Sequence, residues 1–261
     1  MTNPIEKLQS IIRNRTCIVL SKGKSLEDLE HMIHKLSDYD ICWVGQNRTD
    51  YIEDILLAPI NKQIDLVVEC ATVFRKESYE SEYRLPRLTE FLERENNLLL
   101  TSELVLDECF RVYGPQILEK HKDKIVTIDS LFNLPNVPKK VWEPPPNSLA
   151  LLLCFLIAGQ VRKIILCGVD GFISNDVDIF HTYYQSEIVA EERMRTFKNA
   201  PNFKGSVPAD VEAFNLHFPD LLAIYQNAYQ NPNVEIINCS PRSIINVFRK
   251  IDYSKLEQEL I

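Results

Sequence analysis

The sequence predicts an α/β protein built on a doubly wound, mainly parallel sheet. Two observations carry that expectation. Short β-branched, apolar runs alternate along the chain with segments of helical period, which is the pattern of right-handed βαβ units. Small hydrogen-bonding residues come directly after those runs, one run after another, where such a sheet presents its carboxyl edge and binds ligands.

Taken in order, strands are expected at "TCIVL" (16–20), "DICWVG" (40–45), "DLVVE" (65–69), "NLLLT" (97–101), "KIVTI" (124–128), "KIILCG" (163–168) and "VEIIN" (234–238). Helices are expected between them near 25–36, 50–57, 82–95, 103–112, 148–159, 183–197 and 219–230. The proline-rich stretch 131–148 lacks amide donors and favours extended backbone, so it reads as a long crossover inside one domain. A second irregular zone, 171–218, holds Pro201, Pro208, His181 and His217 and reads as a lid inserted into a single domain spanning 1–261.

Composition narrows the function classes. With 29 Lys and Arg against 37 Asp and Glu, the net charge of −8 leaves no general basic surface for nucleic acid. The seven cysteines form no C-x-x-C pair, and their odd number argues against a disulfide framework. They suit small buried hydrophobes in a reducing cytoplasm, and their spacing argues against zinc. The amino-terminal stretch lacks the apolar core of a signal peptide, and "LALLLCFLIAG" (149–159) is too short to span a bilayer, so it reads as a buried helix.

The candidate site is assembled from the residues just after each strand. Ser21-Lys22-Gly23-Lys24-Ser25 comes after the first. Gly23 permits close approach to the backbone, Ser25 with Asp28 has the form of a capping box, and free amides beside Lys22 and Lys24 would favour an anion. A plain strand-to-helix turn with solvated lysines explains the same residues. Asn47 offers donors and an acceptor to a ribose, a base edge or a sugar hydroxyl, or serves as a turn former. Asp170 in "GVDG" either accepts from ligand hydroxyls, orients a neighbouring loop, or ties the amides of its own loop. Ser240 and Ser243 come after the last strand in "CSPRS". Asp176 and Asp178 lack the glycine and distal glutamate of a calcium loop.

Among the histidines, His31, His34 and His121 read as solvent-facing. His181 and His217 lie in the lid zone, where each is either a general base or a hydrogen-bonded structural side chain. Tyr183 and Tyr184 beside His181 are candidate donors to phosphate oxygens, or lid packing.

The order of these pieces resembles that in the small bacterial CMP-sialic-acid-dependent sialyltransferases and the related MptE-like Rossmann-type proteins of surface glycosylation. The resemblance rests on Lys22-Gly23-Lys24-Ser25-Leu26 after the first strand, Asn47 after the second, and Asn147-Ser148 leading into "KIILCGVDGF". It ends with His217, a helix, a strand and Cys239-Ser240-Pro241-Arg242-Ser243. It implies a Rossmann-like transferase that takes a sugar from a nucleotide donor, a CMP-sugar, to an acceptor hydroxyl without a metal or other cofactor. Gly23, Ser25 and Asn47 would contact the nucleotide, Asn147 and Ser148 would lie by the donor, and Ser240 to Ser243 would close around the base. His217 would deprotonate the acceptor, and Tyr183 and Tyr184 would stabilise the leaving phosphate. Phe172 stands near a tyrosine position, and Lys22 and Lys24 stand where the family keeps Asn and Pro. Two alternatives stay open. One is an MptE-like diphosphokinase using ATP, hydroxymethylpterin and Mg²⁺; the other is a non-catalytic nucleotide- or glycan-binding protein. The sugar, the acceptor and any homo-oligomer stay open as well.

Overall fold

A computed structural model describes residues 4–21, 23, 25–46, 52–69, 79–132, 148–170, 203–241 and 243–261, the side chains of 79–85, 117, 132 and 203–213 excepted. Eight strands form a single parallel sheet: β1 (Thr16–Leu20), β2 (Ile41–Gln46), β3 (Leu66–Val68), β4 (Leu98–Thr101), β5 (Ile125–Thr127), β6 (Lys163–Cys167), β7 (Glu235–Asn238) and β8 (Arg249–Lys250). Their order is β5-β4-β3-β2-β1-β6-β7-β8. The chain winds outward from β1 in one direction, then restarts at β6 on the other side of β1. That reversal is the switch point of a doubly wound, Rossmann-like fold.

β1 is central because every one of its residues is apolar or small enough to be covered on both faces, and all five are buried. It pairs with β2 from Thr16↔Ile41 to Leu20↔Gly45 and with β6 from Thr16↔Lys163 to Leu20↔Cys167. The three strand ends therefore lie level.

The helices are α1 (Pro4–Ile12), α2 (Leu26–Glu30), α3 (Tyr79–Glu93), α4 (Glu103–Tyr113), α5 (Gln116–Glu119), α6 (Ile128–Phe132), α7 (Ser148–Ala158) and α8 (Phe203–Ala228). On one face α1, α6, α7 and α8 bury Leu8, Leu131, Leu152 and Phe218 against β-strand side chains such as Val19 and Val44. On the other, α2, α3, α4 and a carboxy-terminal 3-10 segment (Tyr253–Glu259) cover Ile18, Trp43 and Ile165. α7 is apolar all round, and ten of its eleven residues are buried, as expected of a helix within the core. Among the described residues no helix is long and apolar enough to cross a membrane.

Residues 203–218, expected to be irregular, are instead the first part of the 26-residue α8. Pro208 suggested a break, but context overrides that local preference. The rest of the expected lid, 171–202, lies outside the described residues, as do the expected helix at 183–197 and most of the 131–148 crossover. The amino-terminal α1 was not expected either, although Ile5, Leu8 and Ile12 are buried at helical spacing.

Candidate functional site

The turns after β1, β6 and β7 meet at the switch point and interlock. Ser21 N donates to Cys167 O at 2.9 Å and Gly23 N to Gly168 O at 2.8 Å, so the β1–β6 pairing continues past the strands. Glycine is required at both positions of this contact. A Cβ on Gly23 would collide with Asp170 Oδ2 and stand 2.5 Å from Gly168 O. Gly168 has φ +70, and a Cβ there would also meet Leu26 Cγ at 2.8 Å.

Asp170 grips Ser25 with both carboxylate oxygens. Ser25 N donates to Oδ2 at 3.0 Å and Ser25 Oγ donates to Oδ1 at 2.5 Å. Because the single hydroxyl proton of Ser25 goes to Asp170, its oxygen accepts from Ser240 Oγ at 2.8 Å and faces Tyr253 Oη at 3.3 Å. Tyr253 Oη also accepts from Gly168 N at 2.9 Å. Burial pushes the Tyr253 phenol well above its ordinary range, so it stays protonated.

β7 supplies the third side of this knot. Asn238, fully buried, donates from Nδ2 to Val169 O at 3.1 Å and accepts from Ser240 N at 3.0 Å. Ser243 Oγ accepts from Ile245 N at 3.1 Å, Ile244 N donates to Asp170 O at 3.1 Å, and Lys250 Nζ donates to Ser243 O and to Asn246 Oδ1.

Gly23, Ser25, Asp170, Ser240 and Ser243 are thus brought together, and they serve one another first. The expected Ser25–Asp28 capping box does not form. Ser25 is the residue before α2, but its hydroxyl turns to Asp170 and makes no side-chain cap. Of the amides expected to be free for an anion there, that of Ser25 is held by Asp170, and α2 has five residues. Asp170 therefore orients a neighbouring loop, holding the turn after β1 rather than the amides of its own turn.

Ser148 lies at the start of α7, where its hydroxyl accepts from Gln46 Nε2 at 2.9 Å. Gln46 ends β2 and is only 6% exposed. Sequence alone drew attention to its neighbour Asn47 instead; the available signal was a glutamine closing the apolar run "ICWVGQ". Tyr253 was also missed, because nothing local marks its partners. Lys22, Asn47, Asn147, His181, Tyr183 and Tyr184 lie outside the described residues.

His217 is exposed on α8, in the turn whose Phe214 and Phe218 are buried and stacked on each other. Asn215 pins the same turn to the β7–β8 connection, donating to Ile244 O and accepting from Asn246 N, both at 2.9 Å. Two residues correspond to about 200° around a helix, so His217 lies on the opposite flank from Asn215. α8 also packs on α7.

His31 and His34 are exposed as expected, but His121 is buried beside β5 at 5% exposure. Burial, with Lys120 and Lys124 nearby, lowers its pKa and favours the neutral ring. The six described cysteines are free and buried. Among the described residues no three His, Cys, Asp or Glu side chains gather to hold a metal ion. No protein-family model matches the chain, and no curated protein matches it.

Proposed function

We propose that the protein is a glycosyltransferase-like enzyme that binds a nucleotide sugar, a CMP-sugar, at the carboxyl edge of β1, β2 and β6. The observation that carries the reading is the convergence of polar groups at the switch point. A rigid knot of Gly23, Ser25, Asp170, Ser240 and Tyr253 stands beside the Gln46–Ser148 pair. Open α/β sheets bind nucleotides at such a reversal of strand order. The knot holds three turns in fixed relation, which is the preorganisation that a site for developing charge needs.

In the proposed reaction the acceptor oxygen attacks the anomeric carbon, the bond from that carbon to the phosphate oxygen breaks, and CMP departs with its electrons. The acceptor proton passes to His217, which is exposed on α8 and free to meet solvent or substrate.

Thermal-shift measurements with CMP, CDP, ATP and GTP, each with and without Mg²⁺, test the reading. CMP at about a hundred times its Kd stabilises by about 2.7 kcal/mol. For a chain of this size that raises Tm by roughly 5–10 °C, with or without Mg²⁺. A shift seen only with ATP and Mg²⁺ transfers the protein to the diphosphokinase alternative, and no shift with any nucleotide removes the site. Donor turnover that is undiminished in His217→Ala removes the assigned base.

A further inference from the structure

We infer that Gln46 Oε1 is held for a hydrogen-bond donor on the ligand, a hydroxyl of the ribose or an amino group of the base. This inference rests on the nucleotide reading and names what the site recognises.

Gln46 pairs with Val68 of β3, one residue beyond the Gly45↔Leu20 pair with β1, so it stands at the carboxyl edge beside the switch point. Cys42 and Val44 bury in the layer shared with α7, and alternation along the strand sends Gln46 to the same layer. There its Nε2 donates to Ser148 Oγ at 2.9 Å, which fixes the plane of the carboxamide. The remaining oxygen, Oε1, is buried and has no hydrogen-bond partner among the described residues. Buried acceptors are satisfied in the great majority of native structures, and an unmet one opposes folding. Of four other partnerless buried groups among the described residues, Arg15 Nε, Asn97 Nδ2 and His121 Nε2 belong to residues preceding β1, β4 and β5, at the amino edge of the sheet, and Trp43 Nε1 lies within β2, short of its carboxyl end. Gln46 stands where a ligand binds.

The chemistry of the orphan atom selects its partner. A carboxamide oxygen accepts and cannot donate, so it repels a phosphate or carboxylate oxygen and takes an O–H or N–H. The Ser25 amide, which would have suited an anion, is already held by Asp170. The described part of the edge therefore reads the nucleoside or sugar portion of a ligand rather than its phosphate.

The test compares the wild-type chain with Gln46→Met and Gln46→Leu, in Tm without ligand and in calorimetric affinity for CMP, deoxy-CMP and UMP. Both variants lose the Nε2–Ser148 bond together with the orphan acceptor, and the two changes offset, leaving the unliganded Tm within about 2 °C of wild type. In the wild type one comparison, CMP with deoxy-CMP for the ribose or CMP with UMP for the amine, differs roughly tenfold; that difference collapses below about twofold in both variants. A fall of more than about 5 °C in both unliganded variants makes Gln46 structural and overturns the inference. So does unchanged discrimination at unchanged Tm, which leaves the nucleotide reading standing. A wild-type chain that binds none of the three nucleotides ends the nucleotide reading and this inference with it.

Discussion

Gly23 sits where two turns touch, and the identity of its neighbours decides what the residue is for. The atoms that a Cβ would strike are Asp170 Oδ2 and, at 2.5 Å, the backbone oxygen of Gly168, both part of the protein itself. Gly23→Ala must therefore push the β1 and β6 turns apart. Overpacking of that kind costs about 1–3 kcal/mol, so Tm should fall by roughly 3–10 °C. If glycine were there only to admit a ligand, the same variant would keep its Tm and lose nucleotide affinity; measuring both separates the cases. Gly23, Ser25, Asp170 and Ser240 of this knot were individually legible in the sequence; Tyr253 was not, and neither was their partnership. Ser25 and Asp170 are 145 positions apart, and the local signal, Asp28 three residues on, pointed to a capping box. A two-oxygen carboxylate from another strand end outcompeted the local arrangement, and only the fold brings it there.

Elements are positioned at their other end by charge. Lys163 opens β6, Glu235 opens β7 and Arg249 opens β8, and Glu259 of the carboxy-terminal 3-10 segment joins Lys163 at 3.2 Å and Arg249 at 2.8 Å. Hydrogen bonding from Arg249, then from Lys163, outweighs burial and lowers the Glu259 pKa from 4.5 to about 2. A carboxylate with a depressed folded pKa stabilises fully above its unfolded value, and that contribution disappears as pH falls through the folded one. The window here runs from 4.5 down to about 2. Glu259→Gln should therefore have a lower Tm at neutral pH and a shallower loss of stability across that window, read by thermal melts at stepped pH. Identical acid limbs in the two proteins would refute the link. Arg249 is about half exposed, so salt should weaken the difference. These strands show how far element-level reading reached. Seven were legible to within about two residues, since each apolar run is longer than a turn. The two-residue β8 was not, because "RK" carries no alternation to detect.

The whole molecule is organised around β1, and that much was legible in the alternation of runs, which allows few arrangements once connections are right-handed. What the alternation did not disclose is how the sheet is closed after its last strands. The 3-10 segment buries Tyr253 and Leu256, with Leu260 just beyond, on the face that also holds Ile18, Ile165 and Ile237. Its sequence, "DYSKLEQELI", is mostly polar and looks like a tail, because only every third or fourth residue turns inward. Yet Tyr253 carries the hydroxyl that receives the Gly168 amide and faces Ser25, so this segment completes the switch point as well as the core. The two contributions can be separated. Tyr253→Phe keeps the ring and removes the hydroxyl, leaving the Gly168 amide without an acceptor; this should cost about 1–3 kcal/mol and lower Tm by several degrees. Deleting 253–261 also removes the apolar contacts, and losing a buried leucine side chain alone costs about 2–5 kcal/mol. The deletion should therefore lower Tm far more than Tyr253→Phe does, or prevent folding, as read by melts and near-ultraviolet dichroism. If the shortened chain melts like the Tyr253→Phe protein, Leu256 and Leu260 contribute little. If both match the wild type, the segment is an appendage and the site ends at β8.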